Sequence, residues 1–166
     1  NRLQFEHVSE IDLRQALLLS QSEQHNPLGA RRALLEDYRA HCSAAGRSLL
    51  DHAHFETLDA HLGPAHWKQW PAQYQDPTFL AVQAFAREHA DDVDFHLFLQ
   101  WAASRQLGAA QQAAQDAGMA IGLIADFAVG TDSAGSHAWA QQQALLIGVT
   151  VGAPPDMFNA HGQGWA

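Results

Sequence analysis

Along most of this chain apolar residues recur every three or four positions, the period of an amphipathic helix. The stretch SEIDLRQALLLSQSEQ opens with Ser9 as an N-cap and Asp12 three residues on, and Ile11, Leu13, Leu17 and Leu18 supply its apolar stripe. LGARRALLEDYRAHCSAAG predicts a second helix, with Leu34, Leu35, Tyr38 and Cys42 on one face and Gly46 placed to stop it. LLDHAHFETLDAHLG predicts a third, ending at Gly63. HWKQWP reads as a short turn or helix ended by Pro71. Asp76 followed by Pro77 reads as a cap and first helical position for a fourth helix. The fifth and longest runs from about Asp92 to Ala117. Its dense apolar set, Phe95, Leu97, Phe98, Leu99, Trp101 and Ala102, predicts burial on most sides, and Gly118 closes it.

After Gly118 the pattern changes. MAIGLIADFAVG is a short apolar run bounded by glycines, which predicts a buried parallel strand over 119–129. SHAWAQQQALL predicts one to three further helical turns, and IGVTVG a second short strand. The fold class expected is mainly α with a small β/α part, organised as a helical subdomain, residues 1–117, and a β/α piece, residues 118–166. The closing segment VGAPPDMFNAHGQGW stands apart: Pro154 and Pro155 lack amide donors and fix φ, so it is neither helix nor central strand.

Composition changes the picture only at its edges. The chain has 166 residues and 47% apolar content, enough for one domain with a core. A formal net charge of −9 disfavours nucleic acid and anionic membranes as partners, and Lys68 is the only lysine. A neutral partner such as a carbohydrate suits that balance better. The single Cys42 excludes an internal disulfide and suits a reducing cytoplasm. There is no apolar run of membrane-spanning length and no export leader at Asn1, so a cytoplasmic location is expected. The final residues fall inside a motif, which points to a fragment.

Candidate chemistry is sparse. The chain has eleven histidines, but no i, i+4 ligand pair with a nearby carboxylate stands out, so solvated or hydrogen-bonded roles are expected and no metal or cofactor is assigned. No nucleophile elbow, phosphate loop or dinucleotide fingerprint is present. Asp132 follows the apolar run at the end where β/α folds build sites, and equally suits a cap of the next turn beside Ser133 and Ser136. In the closing loop, Asp156 and Gln163 suit hydroxyl groups, while Phe158 and Trp165 offer flat faces for the C–H side of a sugar ring. A structural turn with a buried Trp fits the same residues.

Two stretches taken together carry a family pattern. IGLIADFAVGTDSAGSHAW followed by VGAPPDMFNAHGQGW resembles the 4-α-glucanotransferases, the amylomaltases or disproportionating enzymes of glycoside hydrolase family 77. FHLFLQWAA and WPAQYQDP are similar to the family's upstream segments, so the likeness covers roughly residues 50–165. It implies helices and one or two strands cut from an eight-stranded TIM-type (β/α) barrel acting on maltodextrins. It implies a retaining transfer of α-1,4-glucan segments through a covalent glycosyl-enzyme. By motif position, Asp156, Phe158, Gln163 and Trp165 match the loop that lies over the glucan, and Asp132 and Trp139 match the Asp-Ser-Ala…Trp pair. Two extra residues separate that pair here, Met157 stands where one branch has an aromatic, and Ala166 replaces a glycine.

The family's catalytic carboxylates follow later strands, so no catalytic residue is assigned in this chain and the fragment alone is expected to be inactive. Strand edges left without neighbours predict self-association. The competing expectation is a helical protein-interaction module without enzymatic activity, docking a partner through exposed apolar faces.

Overall fold

The computed structural model describes residues 27–63, 65–126, 130–146, 149 and 151–165. The helix predicted over residues 9–24 lies outside them. The chain divides into two compact units, Asn1–Gly46 and Arg47–Ala166. Helix α1, Pro27–Leu62, comprises two helical stretches, one in each unit, separated at Gly46, where φ is 61° and ψ −141°. In the first unit the apolar stripe has Leu34 buried and Leu35, Tyr38 and Cys42 half-buried. Arg32 and Glu36 pair across one exposed turn at 3.0 Å.

In the second unit, α1 is followed by two short 3-10 turns, Trp67–Gln69 and Ala72–Tyr74. Helices α2 (Leu80–Glu88), α3 (Ala90–Asp116) and α4 (Ser136–Ala140) come next. The antiparallel strands β1 (Val151–Ala153) and β2 (Gln163–Trp165) close the chain. Helix is thus the dominant element, as the periodicity predicts. No helix among the described residues is long and apolar enough to cross a membrane.

The core of this unit is aromatic. Phe55, Leu58, Trp67, Trp70, Val82 and Trp139 form one buried cluster, with Leu62, Tyr74 and Phe85 packed against it. Phe55 meets Trp70 at 5.2 Å and Trp139 at 5.8 Å between ring centroids, both tilted, the arrangement that aromatic quadrupoles favour. Two of the three indole nitrogens in this core find an acceptor, whereas Trp70 Nε1 is buried with no hydrogen-bond partner among the described residues. Trp67 Nε1 donates to the Ser133 carbonyl at 2.8 Å, and Trp139 Nε1 to the Tyr74 carbonyl at 2.9 Å. These bonds bring chain segments more than sixty residues apart onto one another.

Three predicted features differ from the structure. Helix α2 begins at Leu80 rather than at Asp76-Pro77, because Asp76 Oδ1 accepts from both the amide and the hydroxyl of Thr78, a local turn that competes with helix. Helix α3 is not buried on most sides: only Val93 and Trp101 are buried, and Leu99 and Leu107 are exposed. Its apolar density is confined to the first half; the second half reads Ala and Gln and faces solvent. Its end follows the sequence, since the amides of Gly118 and Met119 bond back to Gln115 and Ala114 in a Schellman closure.

The third difference is the apolar run after Gly118. The described part, 119–126, forms no strand, and Ile121 and Ile124 are exposed. A strand requires a neighbour that answers its backbone groups. Here the side-chain amide of Gln111 does so, donating from Nε2 to the Ile121 carbonyl at 3.1 Å and accepting from the Leu123 amide at 2.7 Å. Gly122 makes this approach possible, because a Cβ there would lie 2.5 Å from Gln111 Oε1. The second predicted strand, 147–151, meets the observed β1 at Val151, where Val151–Ala153 begins; residues 147, 148 and 150 lie outside the described residues.

Candidate functional site

The six residues picked out in the sequence fall into two groups. Asp156, Phe158, Gln163 and Trp165 belong to a single hairpin. β1 and β2 pair with Val151 opposite Trp165, Gly152 opposite Gly164 and Ala153 opposite Gln163, and residues 154–162 form the connecting loop. Asp132 and Trp139 belong to the turn and short helix α4. No hydrogen bond among the described residues joins one group to the other.

The hairpin loop is organised by its own polar side chains. Asp156 Oδ1 accepts from the Phe158 amide at 2.8 Å and the Asn159 amide at 2.7 Å, the Asx geometry that stabilises a turn. The Asn159 carbonyl in turn accepts from the Asp156 and Gly162 amides, each at 3.1 Å. Gly162 has φ of 72°, and a Cβ there would meet the Ala153 carbonyl oxygen at 2.7 Å, so the loop closes only with glycine at this position. Residue 159 is a contributor that sequence reasoning missed: its backbone amide and carbonyl close the loop, which its side-chain identity does not signal, and its Oδ1 adds only a 3.4 Å contact from the His161 amide.

What this scaffold presents is a flat apolar group in water. Phe158 is 91% exposed and its neighbour Met157 89%. A ring held out by a polar framework, not folded inward, is available for stacking. Beside it, Asp156 is exposed, with one oxygen committed to the loop and the other retaining its lone pairs for a hydroxyl donor. Gln163 is exposed in β2.

The second group is anchored from below. Asp132 Oδ1 accepts from the Ala134 amide at 2.9 Å and its carbonyl from Gly135 at 3.1 Å, so the carboxylate does serve as the cap of the turn. It stays exposed and keeps one oxygen outward. Trp139 is fully buried in the aromatic core and offers no face to a ligand in this arrangement. It acts on the turn instead, together with three neighbours. Gln142 Nε2 donates to the Gln75 carbonyl at 2.7 Å, Trp67 holds Ser133, and His52 Nδ1 lies 2.9 Å from Ser136 Oγ. Gln100 Nε2 donates to the other ring nitrogen of His52 at 3.1 Å, which leaves Nδ1 as the donor toward Ser136.

The oxygen of Ser136 therefore accepts a hydrogen bond from His52, which in this tautomer is not placed to take the hydroxyl proton. Two histidines of the helices have shifted titration. Burial holds the His54 ring below its ordinary range, with the Asp51 carboxylate opposing and Arg47 reinforcing the shift. Burial likewise lowers His96, against the pull of Glu56. Neither arrangement supplies a general acid paired with a carboxylate nucleophile.

The family model of the 4-alpha-glucanotransferases matches residues 2–166, and the chain belongs to that family. It is 45% identical over 129 residues to a 4-alpha-glucanotransferase of Mycobacterium tuberculosis (strain ATCC 25618 / H37Rv), covering 78% of this chain and 18% of that protein. It is 30% identical over 123 residues to a 4-alpha-glucanotransferase of Thermus thermophilus, covering 70% of this chain and 24% of that protein. A Haemophilus influenzae 4-alpha-glucanotransferase is 27% identical over 117 residues, covering 70% and 16% respectively. The chain thus spans about a fifth of the length of the curated relatives it matches.

Proposed function

We propose that this chain is part of an enzyme that moves α-1,4-glucan segments between maltodextrins, and that its own contribution is to hold the glucan. The observation that carries this reading is the hairpin loop: Phe158 is 91% exposed on a framework tied by Asp156, in a chain whose whole length fits one transferase family. The glucan would stack a sugar face on Phe158 and Trp165. Its hydroxyls would bond to the outer oxygen of Asp156, to Gln163 and to Asp132, with Trp139 fixing the position of Asp132.

In this reading residues 1–117 are a helical subdomain and 118–166 part of an eight-stranded β/α barrel, in which the run after Gly118 pairs with neighbouring strands. Transfer would be retaining. One carboxylate attacks the sugar, a second protonates the leaving oxygen, and an acceptor 4-hydroxyl then displaces the enzyme. Both carboxylates would come from outside this chain. A loop closed over the substrate excludes water, which favours a sugar acceptor over hydrolysis. The composition suits a cytoplasmic enzyme of storage-glucan metabolism.

The test is made in the full-length protein with maltotriose as donor and acceptor. Phe158→Ala and Trp165→Ala should each lose about 1–3 kcal/mol of substrate binding, the range for a large apolar group, and raise the share of hydrolysis. Asp156→Asn keeps an oxygen for the loop amides but removes the charge, so a change there reports glucan contact and not loop collapse. Normal affinity, rate and transfer-to-hydrolysis ratio in all three folded variants would make the loop purely structural.

A further inference from the structure

Away from the hairpin, three side chains from two places in the sequence converge where α2 meets α3. His61 lies in the last turn of α1, His89 is the junction residue between α2 and α3, and Asp92 lies in the first turn of α3. His61 Nε2 is 3.5 Å from Asp92 Oδ2, and His89 Nδ1 is 3.7 Å from that same oxygen. One ligand atom from each of the three lies within 4.8 Å of the other two. We propose that His61, His89 and Asp92 form a site for a divalent transition metal of the zinc class, with a further coordination position open to water.

The tautomer of His61 carries the argument. Its Nδ1 is 2.9 Å from the Thr57 carbonyl oxygen, which only accepts, so the ring proton sits on Nδ1. Neutral His61 therefore turns the lone pair of Nε2 toward a carboxylate oxygen, acceptor against acceptor. Separations of 3.5 and 3.7 Å also exceed the usual N–H···O range. A cation between the atoms resolves both facts. Donors bound to zinc at about 2.0–2.1 Å in a tetrahedron stand ~3.3 Å apart, so these two edges need to close by only a few tenths of an ångström.

The surroundings fit the same chemistry. A ligand histidine that gives its other N–H to a backbone carbonyl is held in orientation by that bond. His89 occupies the N-cap of α3 yet makes no cap hydrogen bond, so its ring is not committed to the helix end. Phe85 packs edge-on to His61 at 5.4 Å and against His89 at 4.3 Å, giving the pair an apolar wall. The three side chains remain 27–55% exposed, so the site is reachable from solvent. Two imidazoles with one carboxylate suit zinc, cobalt or nickel, not magnesium or calcium. The ion would tie the end of α1 to the α2–α3 junction.

The experiment uses the full chain, freed of metal with a chelator. Co2+ should bind in a one-to-one ratio with visible bands of a four- or five-coordinate nitrogen–oxygen site, and Zn2+ should displace it and raise the melting temperature. Mg2+ and Ca2+ should do neither. Asp92→Asn, at an exposed position and checked for unchanged helical circular dichroism, should weaken Zn2+ binding roughly tenfold or more. His61→Gln should do the same, while His137→Gln, outside the cluster, should leave binding unchanged. No zinc-dependent rise in melting temperature in the parent chain overturns the proposal. So does zinc binding of unchanged strength in Asp92→Asn and His61→Gln. A stabilisation that depends on pH but not on metal, and is lost in Asp92→Asn, would assign the cluster to a proton bridge instead.

Discussion

His54 is a buried histidine whose Nδ1 meets no hydrogen-bond partner among the described residues. Burial disfavours its imidazolium, so the folded protein takes up this proton at lower pH than the unfolded chain, whose ring titrates near 6.5. Asp51 pulls the other way and Arg47 adds to the shift, but burial is the largest cause. Below about pH 6.5 the unfolded state therefore binds more protons, and stability falls as pH is lowered through that window. His96 is shifted in the same direction and adds to the slope. Urea unfolding at pH 7 and pH 5 should show a smaller acid-side loss in His54→Leu than in the parent. At pH 7 the variant should hold or gain stability, because the orphaned nitrogen costs about 1–3 kcal/mol. Equal acid-side losses in the two proteins would remove His54 as the source.

Among the elements, α4 shows how an indole can serve a site it does not touch. Trp139 lies at 0% exposure against Phe55 and Trp70, and its Nε1 reaches the Tyr74 carbonyl, so the turn holding Asp132 is fastened to the core. Trp139→Ala should destabilise the protein by about 3–5 kcal/mol, the usual cost of removing a buried Trp. Trp139→Phe keeps ring contacts and should cost less, leaving the Tyr74 carbonyl without its donor; denaturant melts of the two variants check the order. The burial of this Trp was not legible in the sequence, since a short, helix-like stretch with one aromatic does not say which way the ring turns. The ends of α1 and α3 were legible, because Gly63 and Gly118 adopt the positive φ values that glycine supplies at helix ends. The run after Gly118 was legible in its apolar content but not in its form. Strand is a property of two partners, and the partner found here is the side chain of Gln111. The metal cluster was hidden for a related reason: His61 joins His89 and Asp92 through tertiary packing, and the chain gives no spacing for it.

Across the second unit, exposed apolar side chains are frequent after Gly118, where α4 alone contributes to the core through Trp139. Before it, helices bury an aromatic core; after it, Met119, Ile121, Leu123, Ile124, Leu146 and Val149 are large apolar side chains in contact with water. The hairpin β1–β2 is a two-stranded sheet whose outer edges meet no further strand among the described residues. Two strands alone are marginal in water, and open edges pair readily with another chain. Apolar surface and free edges in the same region make association the favoured outcome for the isolated chain. Light scattering should show a mass that rises with concentration. Exchanging Ile121 and Ile124 for Glu should lower it without loss of helical circular dichroism, since neither side chain belongs to the core. In the proposed reading the same surface would lie against further barrel strands, and the catalytic carboxylates would come from outside this chain. The associated chain should then produce no longer or shorter maltodextrins from maltotriose, whatever its oligomeric state. A strictly monomeric species at high concentration would mean that the apolar residues after Gly118 find cover within their own chain. Robust disproportionation by a clean preparation would mean that a carboxylate pair lies within these 166 residues after all.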